Sequence, residues 1–215
     1  MRRFSTHLIL LLLLTWSACG KPGPTKSERI DAFNDNGWTL FGFDEFDRAL
    51  ENFLDGLNLD GQNLSGIMGE GWSRLMLGDA DLDSIVASLE NGTTSAEWRL
   101  DAWCGLSAVA LSDQRYADAD SLAARVFAED SSYVFIYRPQ VTWEDLLIIQ
   151  AQARYVATDY AGSWQALLLL TAGTIYETID PADNTTWIIG TQLFTLFEEL
   201  LAKVISALAD EYRWI

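Results

Sequence analysis

The chain has almost no histidine. Its only one, His7, falls in the first 19 residues, a segment that reads as an export signal. A mature chain without histidine excludes Ser-His-Asp and Cys-His catalysis and any His-ligated zinc site. Cysteine is nearly as scarce, with Cys19 and Cys104 the only two. If Cys19 is committed to the N-terminal segment, no intramolecular disulfide is available, although an exported protein meets an oxidising compartment. Basic charge is also short: 14 Lys and Arg stand against 31 Asp and Glu, for a formal net charge of −17. So acidic a surface repels nucleic acid and anionic lipid headgroups. Proline is rare, and in the body of the chain only Pro139 and Pro181 interrupt the pattern, which leaves room for long helices. The apolar run Leu8–Leu14 falls short of the roughly 20 residues that span a bilayer.

What is present begins at the N-terminus. Arg2 and Arg3 give a positive start, Leu8–Leu14 an apolar core, and Ser17-Ala18-Cys19 a small-residue end. This is the layout of an export signal. Ser-Ala-Cys resembles the lipobox of bacterial lipoproteins, although Trp16 stands where that family usually has Leu. The resemblance implies cleavage after residue 18 and acylation of the Cys19 thiol. The alternative is an ordinary secretory signal cut near Ala18 or Gly20. Cleavage before Cys19 removes two of the basic residues and no acid, so the mature chain is more acidic still. In Gram-negative members, Gly20 rather than Asp after the cysteine implies sorting to the outer membrane. Residues 19–27 contain Gly20, Pro22, Gly23 and Pro24 and no apolar pattern, which suits a flexible tether.

Beyond the tether the sequence reads as all-α. Nearly half the residues are hydrophobic and nine are Trp, which excludes disorder for most of the chain. Apolar residues recur at three- and four-residue spacing, with breaks at Leu59-Asp60-Gly61, Asn91-Gly92, Ser112-Asp113, Asp130-Ser131-Ser132 and Gly173. Thr94-Ser95-Ala96-Glu97 and Thr142-Trp143-Glu144-Asp145 are expected to open helices as capping boxes.

Self-similarity follows. Trp103, Leu106, Ser107, Ala110, Tyr116, Ala119, Ala123 and Val126 match Phe33, Gly37, Leu40, Phe46, Ala49, Phe53 and Gly56 at about twice the unit length. Gly71-Trp72 repeats Gly37-Trp38, and Leu82, Ile85, Val86 and Leu89 continue that unit if two residues are added at its turn. A fourth unit carries Leu147, Ala151, Tyr160, Ser163, Leu167 and Leu170. Small residues at Gly37, Gly71, Ser107 and Ala151 let paired helices approach closely. The pattern resembles the tetratricopeptide repeat. That resemblance implies about four helical hairpins over residues 28–172 and a C-terminal helical cap over 173–215. The last helix is expected from about Trp187 to Trp214, with an apolar stripe of Leu193, Phe197, Leu200, Leu201, Val204, Ile205 and Leu208.

In tetratricopeptide arrays the first helices of the units line a groove for partner segments. The resemblance places Asp31, Asn34, Trp38, Ser65, Met68, Trp72, Asp101, Cys104, Asp145, Gln152 and Tyr155 in it. Aromatics and acids there suit a peptide with basic and apolar residues. Packing of Trp38 and Trp72 between units is the alternative. The insertion Ser132–Tyr137 alternates in character and ends at Arg138-Pro139. It reads as an extended strap over the third hairpin or as an exposed binding element, and its apolar bulk argues for packing.

One segment resembles an EF-hand calcium loop. Asp79, Asp81 and Asp83 occupy the first three acidic positions and Glu90 the last, but Ser84 stands where the loop needs Gly. The competing reading starts a helix near Asp81 or Asp83, with Ile85, Val86 and Leu89 buried.

These readings describe a non-catalytic, lipid-anchored protein of the bacterial envelope, facing the periplasm. It would bind an unidentified protein or peptide as a scaffold or assembly factor, with no cofactor and no nucleic acid. The alternatives are a solute-binding accessory subunit of a transporter and a calcium-binding module.

Overall fold

A computed structural model describes residues 23–171, 175–189 and 191–211. The export signal, Cys19, the break at Gly173 and the end of the last helix at Trp214 lie outside them. The described residues form a helical-repeat array of four hairpins: α1 (Lys26–Gly42) with α2 (Phe46–Leu59), α3 (Leu64–Leu77) with α4 (Leu82–Gly92), α5 (Arg99–Ser112) with α6 (Tyr116–Glu129), and α7 (Trp143–Val156) with α8 (Tyr160–Thr171). Helices adjacent in sequence pack pairwise, and the first helices α1, α3, α5 and α7 also touch in succession, so they form one face. A ninth helix, α9 (Phe197–Glu211), packs on α7 and α8. Among the described residues no helix is long and apolar enough to cross a membrane.

The repeat is written most clearly in the turns. Each hairpin turns through one left-handed residue: Asp44 (φ 62°), Gly78 (φ 68°), Gln114 (φ 60°) and Thr158 (φ 61°). In each case the next residue donates its N–H to a carbonyl five positions back: Glu45 to Leu40, Asp79 to Arg74, Arg115 to Ala110 and Asp159 to Arg154. This is the Schellman closure, which satisfies carbonyls orphaned at a helix end. After it, one residue precedes the second helix in units one, three and four. In unit two Asp79-Ala80-Asp81 intervene, so the expected two-residue addition falls at this turn.

Packing follows the small residues. Gly37, Gly71, Ser107 and Ala151 are all buried. A Cβ added at Gly37 would sit 2.6 Å from the Phe53 ring, and one at Gly69 only 2.3 Å from it. Phe53, from α2, is therefore clamped between glycines of α1 and α3. In unit four Ser163 donates its hydroxyl to the Ala151 carbonyl at 2.7 Å, tying α8 to α7.

Helix starts agree only in part with expectation. Thr142 and Asp145 form the expected capping box at α7, and Thr25 with Glu28 forms another that starts α1 at Lys26. Thr94–Glu97 does not open a helix. Ser95 accepts from the Glu97 N–H at 3.3 Å, and α5 starts only at Arg99. The intervening turn seats Trp98 against Trp38, with ring centroids 5.5 Å apart.

The last helix is shorter than expected. The Thr186 hydroxyl and the Trp187 indole N–H both donate to the Asp180 carbonyl, at 3.2 and 2.8 Å, and close a loop. Two short strands follow, β1 (Ile188–Ile189) and β2 (Gln192–Leu193), paired antiparallel. Helix α9 begins at Phe197 because residues before it are committed to this hairpin. Its Leu200, Leu201, Val204, Ile205 and Leu208 are buried in an apolar cluster with Leu147, Ile148, Ala151 and Leu167.

Candidate functional site

The face formed by the first helices is covered by the chain itself. Asp60 ends α2 and Asp130 ends α6 in the same extended conformation, with φ −146° and −144°. After Asp60 the chain caps α3 within three residues. After Asp130 it enters the insertion and caps α7 only at Thr142. The Phe135 N–H donates to the Val141 carbonyl at 2.9 Å and the Trp143 N–H to the Tyr133 carbonyl at 2.8 Å. These bonds pair Val134 with Thr142 as an isolated antiparallel bridge. In extended chain, alternate side chains point to opposite sides. Tyr133, Phe135 and Tyr137 therefore turn towards the helices, while Val134 and Ile136 turn out, Ile136 at 72 % exposure.

Each inward ring has a built seat. Phe135 is fully buried and stacks on Trp72, with centroids 4.4 Å apart. Tyr137 stacks on Trp38 at 4.0 Å and lies parallel to Trp98 at 5.8 Å. The Tyr133 hydroxyl donates to Asp101 at 2.8 Å. Beyond the rings, Arg138 forms an ion pair with Asp44 in the first turn, and its guanidinium lies 5.2 Å from the Phe46 ring centroid. The insertion is thus a strap that leaves unit three, crosses the face of α5, α3 and α1, and is fastened to unit one.

The eleven residues expected in the groove divide into three sets. Trp38, Trp72, Asp101 and Cys104 converge beneath the strap, and Ser65 joins them by accepting the Trp38 indole N–H at 3.0 Å. Asn34 and Met68 serve the contacts between helices instead. Asn34 donates to Asn63, the N-cap of α3, at 2.8 Å, and Met68 is fully buried against Gly92. Asp31 is exposed, Asp145 is the buried capping residue of α7, Gln152 is half-buried, and Tyr155 packs on Tyr160 at 5.5 Å. Trp98 belongs to the site although it stands outside the repeat register. Its signal in the sequence was only its size and the broken capping pattern before it.

The electrostatics follow from closure. Burial pushes the Asp101 carboxyl up to about 6; the hydrogen bond from Tyr133 opposes this, and the nearby Glu97 charge adds to it. Burial likewise raises the Cys104 thiol and the Tyr133 hydroxyl. A fully buried thiol with a raised pKa is inert as a nucleophile.

Residues Asp79–Glu90 do not form a calcium loop. Asp81 caps α4 by accepting from the Ser84 N–H at 3.2 Å and the Ser84 hydroxyl at 2.6 Å. Asp79 is held by Arg74 at 2.9 Å. The helix runs through Ser84 to Gly92, so Asp83 and Glu90 lie along its length and cannot close on an ion with Asp79. Asp81 and Asp83 serve the helix start, where the dipole favours them. Among the described residues, no group of three or more Asp, Glu, Cys or His is placed to hold a metal.

Comparison with protein-family models, with curated proteins and with solved structures finds no match to this chain.

Proposed function

We propose that the protein is a tetratricopeptide-like lipoprotein of the bacterial envelope that recognises a partner protein through an extended segment. One observation carries this reading: the face of the first helices already accommodates an extended chain with aromatic rings at alternate positions. Trp38, Trp72, Trp98 and Asp101 form the seats, and the strap is a built-in placeholder. A partner segment of the same chemistry would exchange with it. Addition of an extended strand in this way takes affinity from the backbone and specificity from alternate side-chain pockets. The placeholder keeps three tryptophans from water until a partner arrives, which guards against aggregation.

The test replaces residues 132–140 by a Gly-Ser loop and supplies a synthetic peptide of residues 131–142. Circular dichroism establishes that the variant is helical. The peptide should bind the variant and not the full chain, and a peptide with Tyr133, Phe135 and Tyr137 all changed to Ala should bind neither. A helical variant that ignores the parent peptide refutes the reading. Anchoring is tested separately: Cys19→Ser should move the protein from the membrane fraction to the soluble one.

A further inference from the structure

A second cavity lies away from the strap, between α4 and α6 and floored by α5. It is a cleft of about 560 Å³ lined by Glu90, Thr93, Trp103, Leu106, Leu122 and Arg125. It continues into a smaller recess past Arg115 and Asp118. The size falls in the range of about 300–1,000 Å³ of small-ligand pockets.

Two guanidiniums flank the Trp103 ring, that of Arg99 at 5.6 Å and that of Arg125 at 5.9 Å from its centroid. Arg99 is held by Glu129 at 2.5 Å, and Arg115 by Asp113 and Asp118 at 2.8 and 2.9 Å. Arg125 forms no ion pair among the described residues, and neither does Glu90. Opposite charges therefore line one cleft without meeting, in a chain where acids outnumber bases two to one. Trp103, Leu106 and Leu122 line the same cleft.

We propose that this cleft binds a zwitterionic amino acid with a large apolar side chain. Its carboxylate pairs with the Arg125 guanidinium, a planar fork that matches carboxylate geometry. Its ammonium pairs with Glu90, and its side chain packs on Trp103, Leu106 and Leu122. The site is independent of the strap-covered face and stands whatever occupies that face.

Isothermal titration calorimetry on the full chain tests it with three probes: L-phenylalanine, N-acetyl-L-phenylalanine, which lacks the ammonium, and L-phenylalaninamide, which lacks the carboxylate. The free amino acid should bind in the millimolar range or tighter. Each derivative should bind about ten-fold more weakly, the loss of one charge-assisted hydrogen bond. Arg125→Gln and Glu90→Gln should each weaken L-phenylalanine by a similar factor, and Glu90→Gln should leave the melting temperature unchanged. Glu90 makes no side-chain hydrogen bond among the described residues, so its variant keeps the test open if Arg125→Gln disturbs Trp103. No heat with L-phenylalanine at millimolar concentration, equal binding of all three probes, or unchanged binding in both variants overturns the proposal.

Discussion

Gly69 is a position where one added methyl meets a rigid ring. Its Cβ would fall 2.3 Å from a ring carbon of Phe53, itself fully buried. Overpacking of this kind costs about 1–3 kcal/mol, against a gain in helix propensity of up to about 1 kcal/mol. Gly69→Ala should therefore lower the thermal midpoint, whereas Gly61→Ala, whose nearest obstacle is 3.8 Å away, should not. Phe53→Leu should restore part of the loss, which a double-mutant cycle measures. Thr158 is the opposite case. A β-branched residue at φ 61° stores strain of about 1–2 kcal/mol. Thr158→Asn keeps a polar side chain and tolerates the left-handed region, so the midpoint should rise, by the equivalent of about 1 kcal/mol. Asp101 couples the strap to pH. Its folded carboxyl titrates at about 6, above the usual value of about 3.9 for an unfolded chain. Between those values the folded state holds a proton that the unfolded chain has lost. This group therefore removes stability as pH rises through that window, and the loss is complete above pH 6. Asp101→Asn should flatten that part of the profile, measured as the difference in urea midpoint between the two proteins from pH 4 to 7. Identical profiles would refute the assignment.

At the level of elements, hairpins were legible and the strap's destination was not. Gly37-Trp38 and Gly71-Trp72 announced close helix approach because small residues at a helical period have few other uses. The two-residue addition in unit two was legible from the drift of Leu82, Ile85 and Leu89. The alternation from Ser132 to Tyr137 allowed an extended strap, but over the third hairpin and not across to unit one. Nothing local in it named Trp38, Trp72 or Trp98 as the surface, because that pairing is made across the array. The acids of Asp79–Glu90 were ambiguous for a different reason. A helix N-cap and a cation loop both want carboxylates at short spacing, and only the turn residue separates them. Ser84 accepts the helical choice, and its hydroxyl reinforces it. The last helix was overextended because the apolar stripe from Leu193 onwards continues the helical period, while the loop closed on the Asp180 carbonyl lies upstream of it.

The described residues hold two apolar interiors that meet along α7. Leu146, Ile149 and Ala153 face the larger cluster with the strap, and Leu147, Ile148 and Ala151 face the smaller one under α9. Linear repeat arrays unfold unit by unit from their ends, because each unit touches only its neighbours. Here the strap binds unit one to units three and four. Amides of α1 should therefore exchange with solvent as slowly as those of α5 in the parent chain. In a Phe135→Ala, Tyr137→Ala double variant, protection in α1 should fall while that in α5 is kept. Equal loss in both helices would show that the strap does not couple them.

The same fastening gives the protein a history as it is made. A polypeptide made N-terminus first presents Trp38, Phe41 and Trp72 long before Phe135 and Tyr137 emerge, and Asp44 waits 94 residues for Arg138. Over that interval the first two hairpins carry uncovered indole and phenyl rings, a surface that a holding chaperone would grip. Native burial of the earliest helices is thus deferred until about two thirds of the translation product has emerged.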